Sequence, residues 1–185
     1  AFLTLTAPSF GPVHARKVTR RGFVIPCRCG DRHHVEDPRI GTAVDPDSYD
    51  YVGAVLWQAH AGALWARFTT CLRRALAAEL GIRAREFRDH ARLSYAKVAE
   101  YQRRGLVHFH AVIRLDGPDG PADPAPPGLD HHTLRAAITR AATAAVLSVA
   151  RPDGSALDLA WGAQLDLRAV TPSAAGQVEN DQGEM

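Results

Sequence analysis

Lysine is almost missing from this sequence, and cysteine is scarce. Only Lys17 and Lys97 stand among the 22 basic residues, so arginine, whose guanidinium forms forked bonds with phosphate oxygens, supplies the rest. The three cysteines, Cys27, Cys29 and Cys71, are too few for a disulfide framework, which indicates a reducing, cytoplasmic setting. No apolar run approaches the roughly 18 residues that cross a bilayer, so we expect no membrane partner.

The remaining composition is that of one folded domain. The chain has 185 residues, of which 46% are hydrophobic and 23% charged, and this excludes wholesale disorder. Its net charge of +2 hides an asymmetry, because residues 67–104 are basic and residues 153–185 are acidic. We expect one domain over 1–170 with a flexible Pro/Gly-rich loop over 116–130. The acidic tail, 171–185, is expected to be disordered.

Strand and helix patterns follow one another without a regular βαβ rhythm. The alternation of apolar and polar residues predicts strands over 2–6, 22–26, 92–101, 106–115 and 162–170. The 3.6-residue spacing of apolar residues predicts helices over 51–80 and 131–150, the first capped by Asp50 and ended by Gly81. The fold class is therefore α+β, with a central antiparallel sheet and flanking helices.

The most informative stretch is LVHFHAVI, which follows a predicted turn. Alternate side chains of a strand share one face, so His108 and His110 project to the same side while Phe109 points into the core. Two imidazoles placed in this way can bind one divalent metal ion. The pattern His-x-His also occurs by chance, and an ordinary half-exposed strand is the alternative.

The turn before this strand predicts a third ligand. A three-residue loop that ends on Gly105, in the left-handed conformation, fits the sequence QRRG. This register places Glu100 opposite His108, whereas a two-residue loop would turn the carboxylate to the other face. Two imidazoles and one carboxylate would bind Mg²⁺ or Mn²⁺ and leave coordination positions open for a phosphate.

A second group of metal-binding residue types lies in the run CRCGDRHH. Cys27, Cys29, His33 and His34 offer two thiols and two imidazoles, the ligands that structural Zn²⁺ prefers. The spacing Cys-x-Cys is tighter than the usual Cys-x₂-Cys. The sequence therefore leaves two interpretations open, a structural zinc site and a loop with incidental thiols.

Several of these stretches resemble one protein superfamily. The run from Glu100 to His110, EYQRRGLVHFH, resembles the His-hydrophobe-His (HUH) motif of rolling-circle replication initiators, and FLTLT is similar to their first motif. Four stretches are more closely similar to the replication initiators of actinomycete integrative plasmids. They are FLTLTAPSFGPVH, the Cys-x-Cys-Gly stretch, YDYVGAV and SYAKVAEYQRRGLVHFHAVIRLDG.

The resemblance implies an HUH endonuclease-like domain, here incomplete at both ends. Such an enzyme uses a divalent metal ion, Mg²⁺ or Mn²⁺, to nick and join single-stranded origin DNA of a plasmid through a phosphotyrosine intermediate. His108 and His110 match the metal ligands of the family, and Glu100 is the expected third. The basic residues Arg103 and Arg104, at the hairpin tip, and Lys97 are expected to bind DNA phosphates.

The nucleophilic tyrosine of the family follows the His motif, on a later helix that also carries a lysine. In this chain no tyrosine follows Tyr101. We therefore expect the nucleophile beyond Met185, and we expect the 185-residue chain alone to be inactive. A permuted arrangement, with an N-terminal tyrosine as in conjugative relaxases, is the alternative, whereas Tyr49 and Tyr51 are interpreted as the start of a helix that packs on the core.

Other functions are compatible with parts of the pattern. A non-catalytic module could recognise origin DNA through its arginines alone. A relaxase or transposase of the same superfamily would share the His motif. A small-molecule metalloenzyme of the cupin type also uses His-x-His, but the long predicted helices and the few strands disfavour it.

Overall fold

The computed structural model describes residues 1–170, so the predicted disordered tail, 171–185, lies outside the described part. In residues 1–170 the chain forms eight strands and three helices. The helices are α1 (Tyr51–Glu79), α2 (Phe87–His90) and α3 (His131–Ala144). The strands are β1 (Phe2–Leu5), β2 (Lys17–Val18), β3 (Val24–Ile25), β4 (Arg92–Tyr101), β5 (Val107–Asp116), β6 (Val146–Ala150), β7 (Ala156–Ala160) and β8 (Leu165–Arg168).

Helix α1 forms the centre of the core. Its first turn is capped by the Asp50 carboxylate, which accepts a hydrogen bond from the Gly53 N–H at 2.8 Å, and Gly81 follows its end with a φ of +68°. The predicted helix over 51–80 is confirmed within one residue. Its apolar stripe is buried, as the spacing predicted: Trp57, Ala61, Leu64, Phe68, Leu72 and Leu76.

Four strands form an antiparallel sheet in the order β4-β5-β1-β8. Because side chains alternate along a strand, one face of the sheet carries buried apolar residues. These are Leu3, Leu5, Phe109, Ala111 and Leu167. Helix α1 covers this face, and the Trp65 ring packs edge-on against Phe109 at 5.8 Å between centroids. The prediction of a mixed α and β fold with an antiparallel sheet is thus confirmed.

The region after α3 differs from the prediction. The expected helix over 131–150 ends at Ala144, and Val146–Ala150 is instead β6, paired with β7. The turn Arg151–Ser155 joins them, with Gly154 at a φ of +83°. Valine-rich VLSVA favours a strand once this turn brings a partner beside it. The sequence reading missed β7, and the strand expected over 162–170 is only Leu165–Arg168.

The segment from Gly11 to Ser48, hereafter the 11–48 segment, has little regular structure. The strand predicted over 22–26 is reduced to β3, which pairs with β2 over two residues. Residues 117–130 likewise form turns and irregular structure, as their proline and glycine content predicted. No helix among the described residues is both long and apolar enough to cross a membrane.

Candidate metal centre

The hairpin β4–β5 has the predicted register. Gly105 takes a φ of +78°, its N–H donates to the Gln102 carbonyl at 2.8 Å, and the Gln102 N–H donates to the Leu106 carbonyl at 2.9 Å. Glu100 therefore lies directly opposite His108. The glycine at the third loop position decides this pairing, because its left-handed conformation closes the three-residue loop.

Glu100, His108 and His110 converge on one point above the exposed face of the sheet. The Glu100 Oε2 atom is 3.3 Å from the Nε2 atom of each histidine, and the two Nε2 atoms are 3.2 Å apart. An ion about 2.1 Å from three ligand atoms at right angles would separate them by about 3.0 Å. The observed triangle is therefore close to one face of an octahedral coordination sphere.

This site is open to solvent on one side. The side chains of His108 and His110 are 19% and 24% exposed, and that of Glu100 is 56% exposed. Three ligands on one face would leave the opposite positions of a divalent ion for water or for oxygens of a substrate. One carboxylate and two imidazoles can hold a divalent ion such as Mn²⁺, and an open coordination sphere is what distinguishes a catalytic site from a structural one.

Strand β1 orients the second histidine. Thr4 pairs with His110 across the sheet, and its hydroxyl lies 2.9 Å from His110 Nδ1. If the hydroxyl accepts the Nδ1–H, Nε2 is left with its lone pair towards the other ligands. The Phe2 ring stacks on the same imidazole at 5.7 Å. Sequence reasoning missed Thr4, although the alternation in FLTLT places it on the face opposite Leu3 and Leu5.

Three of the four residues predicted as zinc ligands lie close together, and the fourth does not. Cys27, Cys29 and His33 lie close together, but His34 is exposed and outside the group. His14 takes the fourth place. His14 is 13 residues before Cys27 in the chain, and no local spacing links the two.

Comparison with known proteins places the chain in a family. The family model described as "Replication initiator protein, pSAM2" matches residues 1–183. The chain belongs to this family of replication initiators. It is 54% identical over 173 residues to a curated replication initiator protein of Streptomyces ambofaciens. The matched stretch covers 91% of this chain and 36% of that relative. The chain thus spans about a third of the length of the relative it matches, and no solved structure matches it.

The basic residues predicted to bind DNA occupy three different environments in this chain. Arg104 is half-buried, and burial lowers the pKa of its guanidinium. It donates to the carbonyls of Ala7 and Pro8, which follow β1, and so ties the hairpin tip to this part of the chain. Arg103 is exposed and donates to the Val35 carbonyl at 2.8 Å. Lys97 stands three residues before Glu100 in β4, so its side chain lies on the other face of the sheet. Its Nζ atom is 3.8 Å from the centre of the Phe109 ring.

A cavity of about 360 Å³ adjoins the metal centre. Glu100 and His108 form one wall, and the opposite wall comes from the 11–48 segment, including Val35 and Ile40. Tyr101, which is 76% exposed, stands at the rim. A cavity of this size, with an apolar wall beside open metal positions, is large enough for one nucleotide.

Gly41 packs closely against the hairpin tip. An added Cβ would lie 2.2 Å from the Arg103 carbonyl oxygen, and Gly41 has a φ of +96°. We expect Gly41→Ala to lower the free energy of unfolding by about 1–3 kcal/mol more than Gly128→Ala, because only the first substitution adds overpacking to backbone strain. Gly128 is a matched control, since its φ is +94° and nothing lies within 4 Å of an added Cβ. Urea unfolding of both variants measures the difference, and equal losses would contradict the contact.

The predicted placement of Tyr49 and Tyr51 at the start of a helix is confirmed, although Tyr51 is 52% exposed. Tyr51 begins α1, and Tyr49 packs against its ring at 4.7 Å, where burial raises the pKa of the Tyr49 hydroxyl. Tyr95 stands five residues before Glu100 in β4 and Tyr101 one residue after it. Because side chains alternate along a strand, both project from the sheet face opposite Glu100. In residues 1–170 no tyrosine shares the face of the metal centre with the histidines.

Proposed function

We propose that this chain is the metal-binding part of an HUH-type initiator that nicks and joins single-stranded origin DNA during rolling-circle replication of a plasmid. The observation that carries the proposal is the triangle of Glu100 Oε2, His108 Nε2 and His110 Nε2, with edges of 3.2–3.3 Å on an open sheet face. A bound Mg²⁺ or Mn²⁺ would polarise a phosphate oxygen of the DNA. Membership in the replication initiator family supports DNA as the substrate.

The residues of the chain have separate roles in this proposal. Thr4 holds the ring of His110, so that the ligand set is ordered before DNA arrives. Arg103, exposed at the hairpin tip, is in a position to contact a phosphate beside the cavity. Because Arg104 donates to the carbonyls of Ala7 and Pro8, just after β1, we assign it a positioning role. In this mechanism, a tyrosine from outside residues 1–185 attacks phosphorus, forms the 5′-phosphotyrosine and releases a 3′-OH that primes synthesis.

Fluorescence anisotropy with a labelled pool of random single-stranded 30-mers tests this function. We expect the 185-residue chain to bind about tenfold more tightly with Mn²⁺ than without divalent metal, which corresponds to about 1.4 kcal/mol. The double variant His108→Ala/His110→Ala should lose this gain, and the exposed His90→Ala should retain it. A salt-sensitive affinity that ignores both Mn²⁺ and the double substitution would instead support a non-catalytic DNA-binding module.

The same DNA pool tests the origin of the nucleophile. We expect no strand cleavage by the 185-residue chain, and we expect the His108 and His110 substitutions to abolish cleavage in a longer initiator that supplies the tyrosine. A covalent DNA adduct on Tyr49, Tyr51, Tyr95 or Tyr101 of the 185-residue chain, located by mass spectrometry, would overturn the proposal of an external tyrosine.

A further inference from the structure

A second group of metal-binding atoms lies in the 11–48 segment, apart from the candidate metal centre. It consists of His14, Cys27, Cys29 and His33, and their four ligand atoms all lie within 4.8 Å of one another. Two of these residues are cysteines, which favour softer metals than Mg²⁺. The two ligand sets share no residue, so this site requires an explanation of its own.

Two of the separations between ligand atoms are close to those of a tetrahedral zinc site. His14 Nδ1 is 3.2 Å from His33 Nε2, and Cys29 Sγ is 3.3 Å from the same atom. Tetrahedral Zn²⁺ with Zn–N of about 2.0–2.1 Å and Zn–S of about 2.3 Å would separate two nitrogens by about 3.3 Å and a nitrogen from a sulfur by about 3.6 Å. The ligand atoms are therefore placed for binding with small shifts.

Asp37 and Arg39 hold the ring of the buried His33 on the side away from the other three ligands. His33 Nδ1 lies 2.8 Å from Asp37 Oδ2, and Arg39 holds that carboxylate at 2.9 Å. A carboxylate paired with a guanidinium accepts hydrogen bonds, so His33 Nδ1 carries the proton that it donates to Asp37. The Nε2 lone pair then faces the other three ligands, an arrangement common behind zinc-bound histidines.

The backbone of the loop brings the two cysteine sulfurs close together. The loop is closed by the Cys27 N–H, which donates to the Asp31 carbonyl at 2.8 Å, and by Gly30 at a φ of +97°. The Ala15 N–H donates to the Cys27 sulfur at 3.5 Å and helps to fix its position. A loop closed in this way explains how the tight Cys-x-Cys spacing directs both sulfurs to one point.

The 11–48 segment has no hydrophobic core that could hold it together. Throughout this fully described range, His33 alone is buried, and apolar side chains such as Phe23 are exposed, at 69%. Small units that lack a core are usually held by disulfides or by a structural metal. A polar residue as the one buried side chain points to a metal.

We propose that His14, Cys27, Cys29 and His33 bind one structural Zn²⁺ ion that folds the 11–48 segment. With four protein ligands the coordination sphere is closed, in contrast to the open site at Glu100. The folded segment then presents Val35 to Arg103 and Gly41 to the hairpin tip, so zinc sets the far wall of the cavity beside the candidate metal centre.

Zinc content of the 185-residue chain, purified without chelator and dialysed, tests the proposal. Elemental analysis should find about one zinc per chain. His14→Ala and Cys27→Ser should each lower this content to near zero. The neighbouring His34→Ala and the remote Cys71→Ser are matched controls and should retain it.

Cobalt replacement gives a second readout that does not depend on yield. The Co²⁺-loaded chain should show the intense visible bands of a tetrahedral ion and a thiolate charge-transfer band, and Cys29→Ser should weaken the latter. Retention of zinc in His14→Ala with loss in His34→Ala, or a cobalt spectrum without the thiolate band, would overturn the proposal. His108→Ala/His110→Ala should leave zinc content unchanged, so failure of this site and failure of the proposed nicking function are separable.

Discussion

Manganese should raise the melting temperature of the zinc-loaded 185-residue chain, and His110→Ala should abolish the rise. An ion that binds only the folded state stabilises it by about 2.7 kcal/mol at 100 times its dissociation constant. For a domain of this length that corresponds to a rise of about 5–10 °C. Removal of His110 leaves one imidazole and one carboxylate, which cannot form the three-atom face seen in the structure.

Graded variants make the manganese experiment specific. His108→Ala should behave as His110→Ala does, since its Nε2 is an equal member of the triangle. Thr4→Val should weaken manganese binding by about 10–100-fold without abolishing it, because it removes only the partner of His110 Nδ1. His90→Ala, on the exposed end of α2, should keep the full rise. A rise that survives in the His108 and His110 variants would show that manganese binds elsewhere.

Phe109→Ala should lower the free energy of unfolding by about 3–5 kcal/mol. Phe109 lies between His108 and His110, is 4% exposed, and packs edge-on against Trp65 and Trp161 at 5.8 and 5.7 Å between ring centroids. Its removal leaves a cavity between the sheet and α1 where neither element can move inwards freely. Urea or thermal unfolding monitored by circular dichroism measures the loss.

Phe23→Ala is the matched control for this core substitution. Phe23 is 69% exposed in the 11–48 segment, so its truncation should change stability by no more than about 0.5 kcal/mol. A Phe109→Ala variant as stable as Phe23→Ala would mean that the histidine strand is not anchored to the core through this ring. The positions of His108 and His110 depend on this anchor.

Local patterns predicted the candidate metal centre with little help from the rest of the chain. Gly105 fixes a three-residue loop, the loop fixes the register, and the register brings Glu100 beside His108. Each step involves residues only a few positions apart, so turn geometry and strand alternation predict it from the local sequence. The cap at Asp50 and the stripe along α1 were predictable for the same reason.

The end of α3 shows where a local pattern is insufficient. Apolar residues over 131–150 fit a helical period, yet the chain leaves the helix at Ala144 because Val146–Ala150 pairs with β7. The turn signal PDG between the two strands was present in the sequence. Helix α1 then stabilises the hairpin, since Trp57 Nε1 donates to the Ala160 carbonyl and Arg151 pairs with Asp50 at 2.6 Å.

The sequence by itself determined the hairpin, its register and three ligands of the candidate metal centre, because strand alternation and turn geometry act between near neighbours. Only the tertiary structure decided that Thr4 supports His110 and that His14, rather than His34, joins Cys27 and Cys29. In both contacts the residues are too far apart in the chain for the period of a helix or a strand to predict that they meet. They form because the sheet places β1 beside β5 and because the 11–48 segment folds back upon itself, and packing alone specifies such encounters.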